Sequence, residues 1–136
     1  MVSGLSHITL IVSDLDRMEA LLTTVLDATK VYDSGADTHS LSRERFFLVG
    51  DTVWLAIMEG DPLPARSYNH IAFKIEEAEV EDYRTRIQAH GLDMRGDRAR
   101  LPGEGRSLYF YDHDNHLFEL HTGTLEERLQ RYAQTR

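Results

Sequence analysis

The sequence predicts an α+β fold of two tandem βαβββ modules, forming a cup-shaped mixed sheet. Three observations carry this. The chain repeats itself without a gap at a spacing of 63 residues, the distance from His7 to His70. Each copy opens on an apolar, β-rich stretch, passes through helical periodicity and continues in three short strand-like pieces. A lone four-stranded module would leave one sheet face uncovered, whereas two modules can curl around a shared cavity.

The repeat is read residue by residue. His7-Ile8 falls on His70-Ile71, Leu10 on Phe73, Val12 on Ile75 and Asp14 on Glu77. Arg43 meets Arg106, Phe46 meets Tyr109 and Phe47 meets Phe110. Leu55 meets Phe118, Ile57 meets Leu120 and Gly60 meets Gly123. One register held for so long marks a duplicated unit.

Leu5–Val12 reads as the first strand. Asp14 is a suitable N-cap, and Leu15, Met18, Leu22 and Val25 recur at helical spacing behind it. Lys30–Asp33, Arg45–Val49 and Val53–Met58 complete the first module, residues 1–60. Gly60-Asp61-Pro62-Leu63-Pro64 is a semi-rigid connector. The second module, residues 67–123, repeats the plan. Val80, Tyr83 and Ile87 give its helix, Gly91 the C-terminal stop, and Leu92–Arg95, Ser107–Tyr111 and His116–His121 its strands. Asp112-His113-Asp114-Asn115 is a turn. Thr124-Leu125-Glu126-Glu127 is a capping box that opens a last helix, 124–134, with Leu125, Leu129 and Tyr132 on one apolar face. All 136 residues form one domain on this reading.

Composition narrows the function. The net charge of −8 repels nucleic acid, and Arg95, Arg98, Arg100 and Arg106 are too few for a polyanion footprint. They suffice to favour one small anion locally. No apolar run approaches the roughly 20 residues that span a bilayer. Met1-Val2-Ser3-Gly4 has none of the features of a signal peptide, so a soluble cytoplasmic protein is expected. There are no cysteines, which excludes disulfides and thiolate ligands.

Seven histidines remain as candidates for chemistry. His90 abuts Gly91 at a helix end, where a cation suits the dipole. His113 lies in a turn and His39 has no partner in the pattern. His7 and His70 differ from these, because they hold the same position in the two copies. Two imidazoles converging by pseudo-twofold symmetry suit a divalent metal. Glu119 lies between Phe118 and Leu120 on the last strand, and an inward carboxylate there needs a partner. Its counterpart is Ala56, so the set is lopsided: one ligand from the first copy and two from the second. Two His and one carboxylate leave coordination positions open for a substrate. Alternation puts His121 beside Glu119, as a support or a fourth ligand.

Several segments carry a family resemblance. They are Gly4-Leu5-Ser6-His7-Ile8-Thr9, Tyr68-Asn69-His70-Ile71-Ala72-Phe73 and Gly105-Arg106-Ser107-Leu108-Tyr109-Phe110. Asp114-Asn115-His116-Leu117-Phe118-Glu119-Leu120-His121 and Gly123-Thr124-Leu125-Glu126-Glu127-Arg128-Leu129 complete the set. Together they resemble the fosfomycin-resistance proteins of the vicinal oxygen chelate superfamily. Ser40-Leu41-Ser42-Arg43-Glu44-Arg45-Phe46-Phe47 looks like the hydrolase branch, FosX. The resemblance implies a vicinal oxygen chelate fold and a homodimer with exchanged modules. It implies a Mn(II) site of His7 from one subunit with His70 and Glu119 from the other. It further implies that water opens the epoxide of fosfomycin, with Glu44 as general base.

The same resemblance puts Thr9 beside the oxirane. It makes Tyr68, Ser107, Tyr109 and Arg128 substrate contacts. Without it, Glu44 reads as a surface glutamate, Thr9 as a strand former, the tyrosines as core and Arg128 as a solvated helix face. One departure stands out: the thiol-transferase branch has a lysine where alignment gives Ala99, and Arg98 or Arg100 is its possible replacement. The potassium-binding loop of that branch is not evident in Arg100–Arg106. The rivals are a fosfomycin thiol transferase, opposed by Glu44, and a glyoxalase-type isomerase, opposed by Ala56. An extradiol dioxygenase normally prefers Fe(II). A drug-sequestering protein of this fold usually lacks the triad.

Overall fold

The structure, a computed structural model, describes residues 1–95 and 105–134. The chain forms two compact units, Met1–Ala65 with His113–Asn115, and Arg66–Asp112 with His116–Arg136. The first unit holds β1 (His7–Val12), α1 (Leu15–Val25), β2 (Thr29–Asp33), β3 (Glu44–Val49) and β4 (Val53–Glu59). The second holds β5 (His70–Lys74), a 3-10 turn at Glu77–Glu79, α2 (Val80–Ala89), β6 (Asp93–Arg95), β7 (Ser107–Tyr111), β8 (Leu117–His121) and α3 (Leu125–Gln134). Each unit is thus βαβββ, and α3 follows the second.

Each sheet is mixed. The orders are β1-β4-β3-β2 and β5-β8-β7-β6, with the first pair of each parallel and the others antiparallel. The repeat extends to the pairing itself. His7 lies opposite Trp54 as His70 lies opposite Leu117. Thr9 faces Ala56 as Ala72 faces Glu119, and Glu44 faces Met58 as Ser107 faces His121. A slip of one residue would turn every side chain to the other face, so the shared register fixes which residues share a surface.

The core follows the apolar periodicity. α1 begins where the Asp14 carboxylate accepts the Arg17 N–H at 3.0 Å, and it buries Leu15, Met18, Leu21, Leu22 and Val25. Leu10, Val12, Phe47, Leu55 and Ile57 are buried in the same unit. In the second unit Leu108, Phe110, Phe118, Leu120 and Ile87 are buried. Burying each such side chain fully contributes about 1.5–3 kcal/mol. α2 stops at Gly91, whose φ of 74° is the left-handed cap expected of glycine. The capping box at α3 is present: Thr124 Oγ1 accepts the Glu127 N–H at 3.1 Å, and Glu127 accepts the Thr124 N–H at 3.0 Å. The apolar face of α3 is exposed, with Leu125, Leu129 and Tyr132 each more than half accessible.

Six strand ends differ from the sequence reading: β2, β4, β6 and β8 by one residue at Thr29, Glu59, Asp93 and Leu117, and the starts of β1 and β3. β1 starts at His7 rather than Leu5, because β4 begins only at Val53 and leaves Leu5 without a partner strand. β3 starts one residue earlier, at Glu44. There Ser34 holds the backbone: its N–H donates to the Glu44 carbonyl, and its Oγ accepts the Glu44 N–H, both at 3.0 Å. The Asp112–Asn115 turn is more than a connection. Asp114 is buried and accepts the Ser13 N–H at 2.9 Å and the Ser13 hydroxyl at 2.6 Å. Among the described residues, no helix is long and apolar enough to cross a membrane.

Candidate active site

In each sheet one set of alternate residues faces the helix and the other faces away. Arg45, on the helix face of β3, reaches Asp16 and Glu19 of α1. The face away from α1 therefore carries His7, Thr9, Trp54, Ala56, Glu44 and Phe46. The equivalent face in the second unit carries His70, Glu119, His121, Ser107 and Tyr109. Every strand residue expected in the site lies on this face of its own sheet.

His70 and Glu119 meet. His70 Nε2 is 3.0 Å from Glu119 Oε1, and the carboxylate is buried. His70 Nδ1 is 2.7 Å from the Tyr68 carbonyl, which can only accept, so Nδ1 carries a proton. Nε2 is thereby the ring nitrogen turned to the carboxylate oxygen. A nitrogen and an oxygen donor so placed can share one cation. Two metal–ligand bonds of about 2.1 Å at a right angle end about 3.0 Å apart, so the pair fits adjacent ligands of one ion. The other carboxylate oxygen, Oε2, accepts the Ser107 hydroxyl at 2.6 Å. Tyr109 stands over the His70 ring edge at 5.6 Å between centroids, and its hydroxyl is 3.1 Å from that of Tyr68. Burial, aided by the Tyr68 hydroxyl, pushes the Tyr109 phenol well above its usual value, so it remains a neutral hydroxyl.

In the first unit His7 is exposed and stacks on Trp54, with ring centroids 4.3 Å apart and 30° between planes. Ser6 Oγ lies 3.0 Å from His7 Nδ1, leaving Nε2 for a ligand. Leu5, Ser6, His7, Thr52, Val53 and Trp54 line a pocket of about 230 Å³. Thr9 shares the face of His7. Glu44 is buried, yet among the described residues nothing bonds to its carboxylate. Its neighbours are committed elsewhere: Arg43 to Glu59, and Arg45 to Asp16, Glu19 and Asp33. The pleat sends both arginines to the opposite face from Glu44.

Arg128 on α3 donates from Nη1 to the Tyr132 hydroxyl at 3.2 Å and approaches His121 through Nη2 at 3.4 Å. Its Nε is buried with no acceptor among the described residues. Arg98 and Arg100 lie outside the described residues. No group of three His, Asp or Glu side chains forms a metal site among the described residues of the single chain. The structure pairs His70 with Glu119.

Sequence reasoning missed the support given by Ser6 and Trp54 to His7, and by Ser34 to Glu44. The only tryptophan, four residues past the Gly50 turn, was an available signal for the first. Ser34 left none, because its effect depends on a bond across a hairpin.

With this geometry in place, the comparison with known proteins is informative. A family model described as the glyoxalase/bleomycin resistance protein/dioxygenase superfamily matches residues 4–120. The chain belongs to that superfamily. It is 60% identical over 133 residues to the fosfomycin resistance protein FosX of Mesorhizobium japonicum, covering 98% of this chain and 95% of that one. It is 57% identical over 132 residues to FosX of Listeria innocua, covering 97% and 98%. A crystal structure of a FosX variant from Listeria monocytogenes superposes with a TM-score of 0.87 at 55% identity, covering 97% and 99%. That relative is complexed with Mn(II) and 1S,2S-dihydroxypropylphosphonic acid. The superfamily fold and the likeness to FosX expected from the motifs are thereby borne out.

Proposed function

We propose that this protein is a Mn(II)-dependent epoxide hydrolase that adds water to fosfomycin, giving a vicinal diol phosphonate and resistance to the antibiotic. The full-length identity to FosX proteins supports this, as does the diol phosphonate held by one of them. The single observation that carries hydration over other chemistries is the Glu44 carboxylate, buried yet free of both flanking arginines. A thiol nucleophile has no need of such a base; water does.

On this reading His70 and Glu119 of one chain would hold the metal together with His7 of the partner subunit, in a homodimer with exchanged modules. The exposed apolar face of α3 and a cytoplasmic setting suit such an assembly of one-domain subunits. Bound Mn(II) supplies Lewis-acid stabilisation of the negative charge that grows on the oxirane oxygen. Glu44 takes a proton from water as the water oxygen bonds to carbon and the carbon–oxygen bond of the ring breaks. The ring oxygen takes a proton from solvent and becomes the second hydroxyl, and Glu44 returns its proton to solvent, so the net change is the addition of one water. Thr9, beside His7 on the same face, orients the oxirane. Tyr68, Ser107, Tyr109 and Arg128 hold the phosphonate, to which the unsatisfied Arg128 Nε–H adds a charged donor.

Thiol-free protein incubated with fosfomycin and Mn(II) should yield the diol, followed by 31P NMR. Turnover that appears only on adding glutathione or bacillithiol would overturn the hydrolase reading. Glu44→Gln should lower kcat by roughly 10²–10⁴-fold while Mn(II) affinity is kept. Full activity in that variant would remove Glu44 from its role.

A further inference from the structure

His121, which strand alternation places beside Glu119, touches three residues of the proposed site. Its Nδ1 lies 2.8 Å from Ser107 Oγ and 3.3 Å from Glu119 Oε2, and its Nε2 lies 3.4 Å from Arg128 Nη2. The hydrogens in this cluster can be assigned by counting. A carboxylate only accepts, so the 2.6 Å contact between Ser107 Oγ and Glu119 uses the one hydroxyl proton of Ser107. The hydroxyl must then accept from His121, which places a proton on Nδ1. Nε2 is left as a lone pair, and the approaching group is an arginine, which only donates. These contacts therefore run in one direction, Arg128 to His121, His121 to Ser107 and Ser107 to Glu119, and the direct approach of His121 Nδ1 to Glu119 has the same sense.

We propose that His121 is a positioning residue that turns the Ser107 hydroxyl proton toward an anion. With the His121 N–H donating to the Ser107 oxygen, the hydroxyl proton is held on the side of Glu119. In the free protein that anion is Glu119. With an oxyanion ligand such as a phosphonate in place, the same proton is available to it. The imidazole also ties β8 to α3 through Arg128, so one side chain sets the donors on both sides of the anion. This rests on the metal and phosphonate reading given above.

The test is a double-mutant cycle of His121→Ala and Ser107→Ala on the full chain. Mn(II) affinity is read from the EPR signal of free aqueous Mn(II), without substrate. Loss of a partner that orients a ligating carboxylate weakens metal binding by roughly 10–100-fold, and His121→Ala should fall in that range. If His121 acts through Ser107, the double variant should be weaker than the worse single variant by no more than about twofold, since coupled residues are non-additive. His121→Asn keeps an N–H near the Nδ1 position and should recover most of the affinity. It also keeps the test open if the alanine variant does not fold. At saturating Mn(II), KM for fosfomycin should rise roughly tenfold in His121→Ala, with kcat less affected, the size of one lost bond to a charged group.

Additive losses, or unchanged Mn(II) affinity in His121→Ala, would overturn the proposal. A wild-type chain that binds Mn(II) but never forms the diol would sink the hydrolase reading, while the affinity cycle still judges His121. A wild-type chain with no Mn(II) affinity overturns both.

Discussion

Gly105 sits two residues ahead of β7, and its replacement by alanine offers a sharp check on how the Ser107 strand is held. Its φ is +77°, and a Cβ there would lie 2.6 Å from the Gly123 nitrogen, 2.8 Å from the Gly123 Cα and 3.0 Å from Thr122 Oγ1. Both backbone contacts are closer than real Cβ atoms come. Two hydrogen bonds flank the contact, Arg106 N–H to Thr122 Oγ1 at 2.9 Å and Thr122 N–H to the Arg106 carbonyl at 3.0 Å. An L residue at this φ costs about 1–2 kcal/mol. Relieving the overlap means parting the two segments, which loses about 1 kcal/mol for each of the two bonds. A smaller unfolded-state entropy returns roughly 0.4–1 kcal/mol. The net is a destabilisation of about 2–3.5 kcal/mol, or roughly 7–12 °C in Tm at about 0.3 kcal/mol per degree for a chain of this size.

Gly50→Ala supplies the control. Gly50 also has a positive φ, +60°, but a Cβ there meets nothing within 4 Å. It bears the conformational penalty without the collision, and its net cost should be no more than about 1.5 kcal/mol. Thermal and urea unfolding of the two variants side by side isolates the steric part. Equal losses in the two would refute the close approach of Gly105 to Gly123 as the reason glycine is needed there.

Phe47 and Phe110 occupy equivalent positions of the repeat and are both fully buried, so each alanine variant should lose about 3–5 kcal/mol in urea unfolding. A large disparity between them would mean that the two halves do not pack alike. Asp114→Ala removes a buried acceptor from two Ser13 donors and should cost about 2–4 kcal/mol by the same assay. A loss below about 0.5 kcal/mol would show that water takes over both bonds. The Glu59 carboxyl is held below its ordinary 4.5 chiefly by the hydrogen bond from Arg43. A lowered folded-state pKa adds stability above the unfolded value, and that stability is lost as pH falls through the folded value. Arg43→Gln should therefore flatten the decline in stability below pH 4.5, measured by urea unfolding across the acid range.

The repeat made the fold legible, because an apolar residue matched to an apolar residue over a whole module fixes both periodicity and pairing register. The Thr124 capping box and the Gly91 stop were equally readable, since caps depend on residues only a few positions apart. The strand ends were less so: whether Leu5 extends β1 depends on where β4 starts, nearly fifty residues later. His70 and Glu119 were visible as ligand types, but their 3.0 Å approach arises from a parallel pair whose partners are distant in sequence. Glu44 shows the reverse. Read as a string, Arg-Glu-Arg suggests mutual neutralisation, and only the pleat and the partners of the two arginines show the carboxylate to be free.

That arrangement has an evolutionary side. On the hydrolase reading, a reactive base is kept available by acids that never approach the substrate: Glu59 for Arg43, and Asp16, Glu19 and Asp33 for Arg45. A neutral replacement of Glu59 releases the Arg43 guanidinium one residue from Glu44, whereas Arg45 keeps two carboxylates when any one of its three is lost. Drug pressure would then select on the far side of the sheet as firmly as in the pocket. Susceptible revertants would carry changes that look like harmless surface variation.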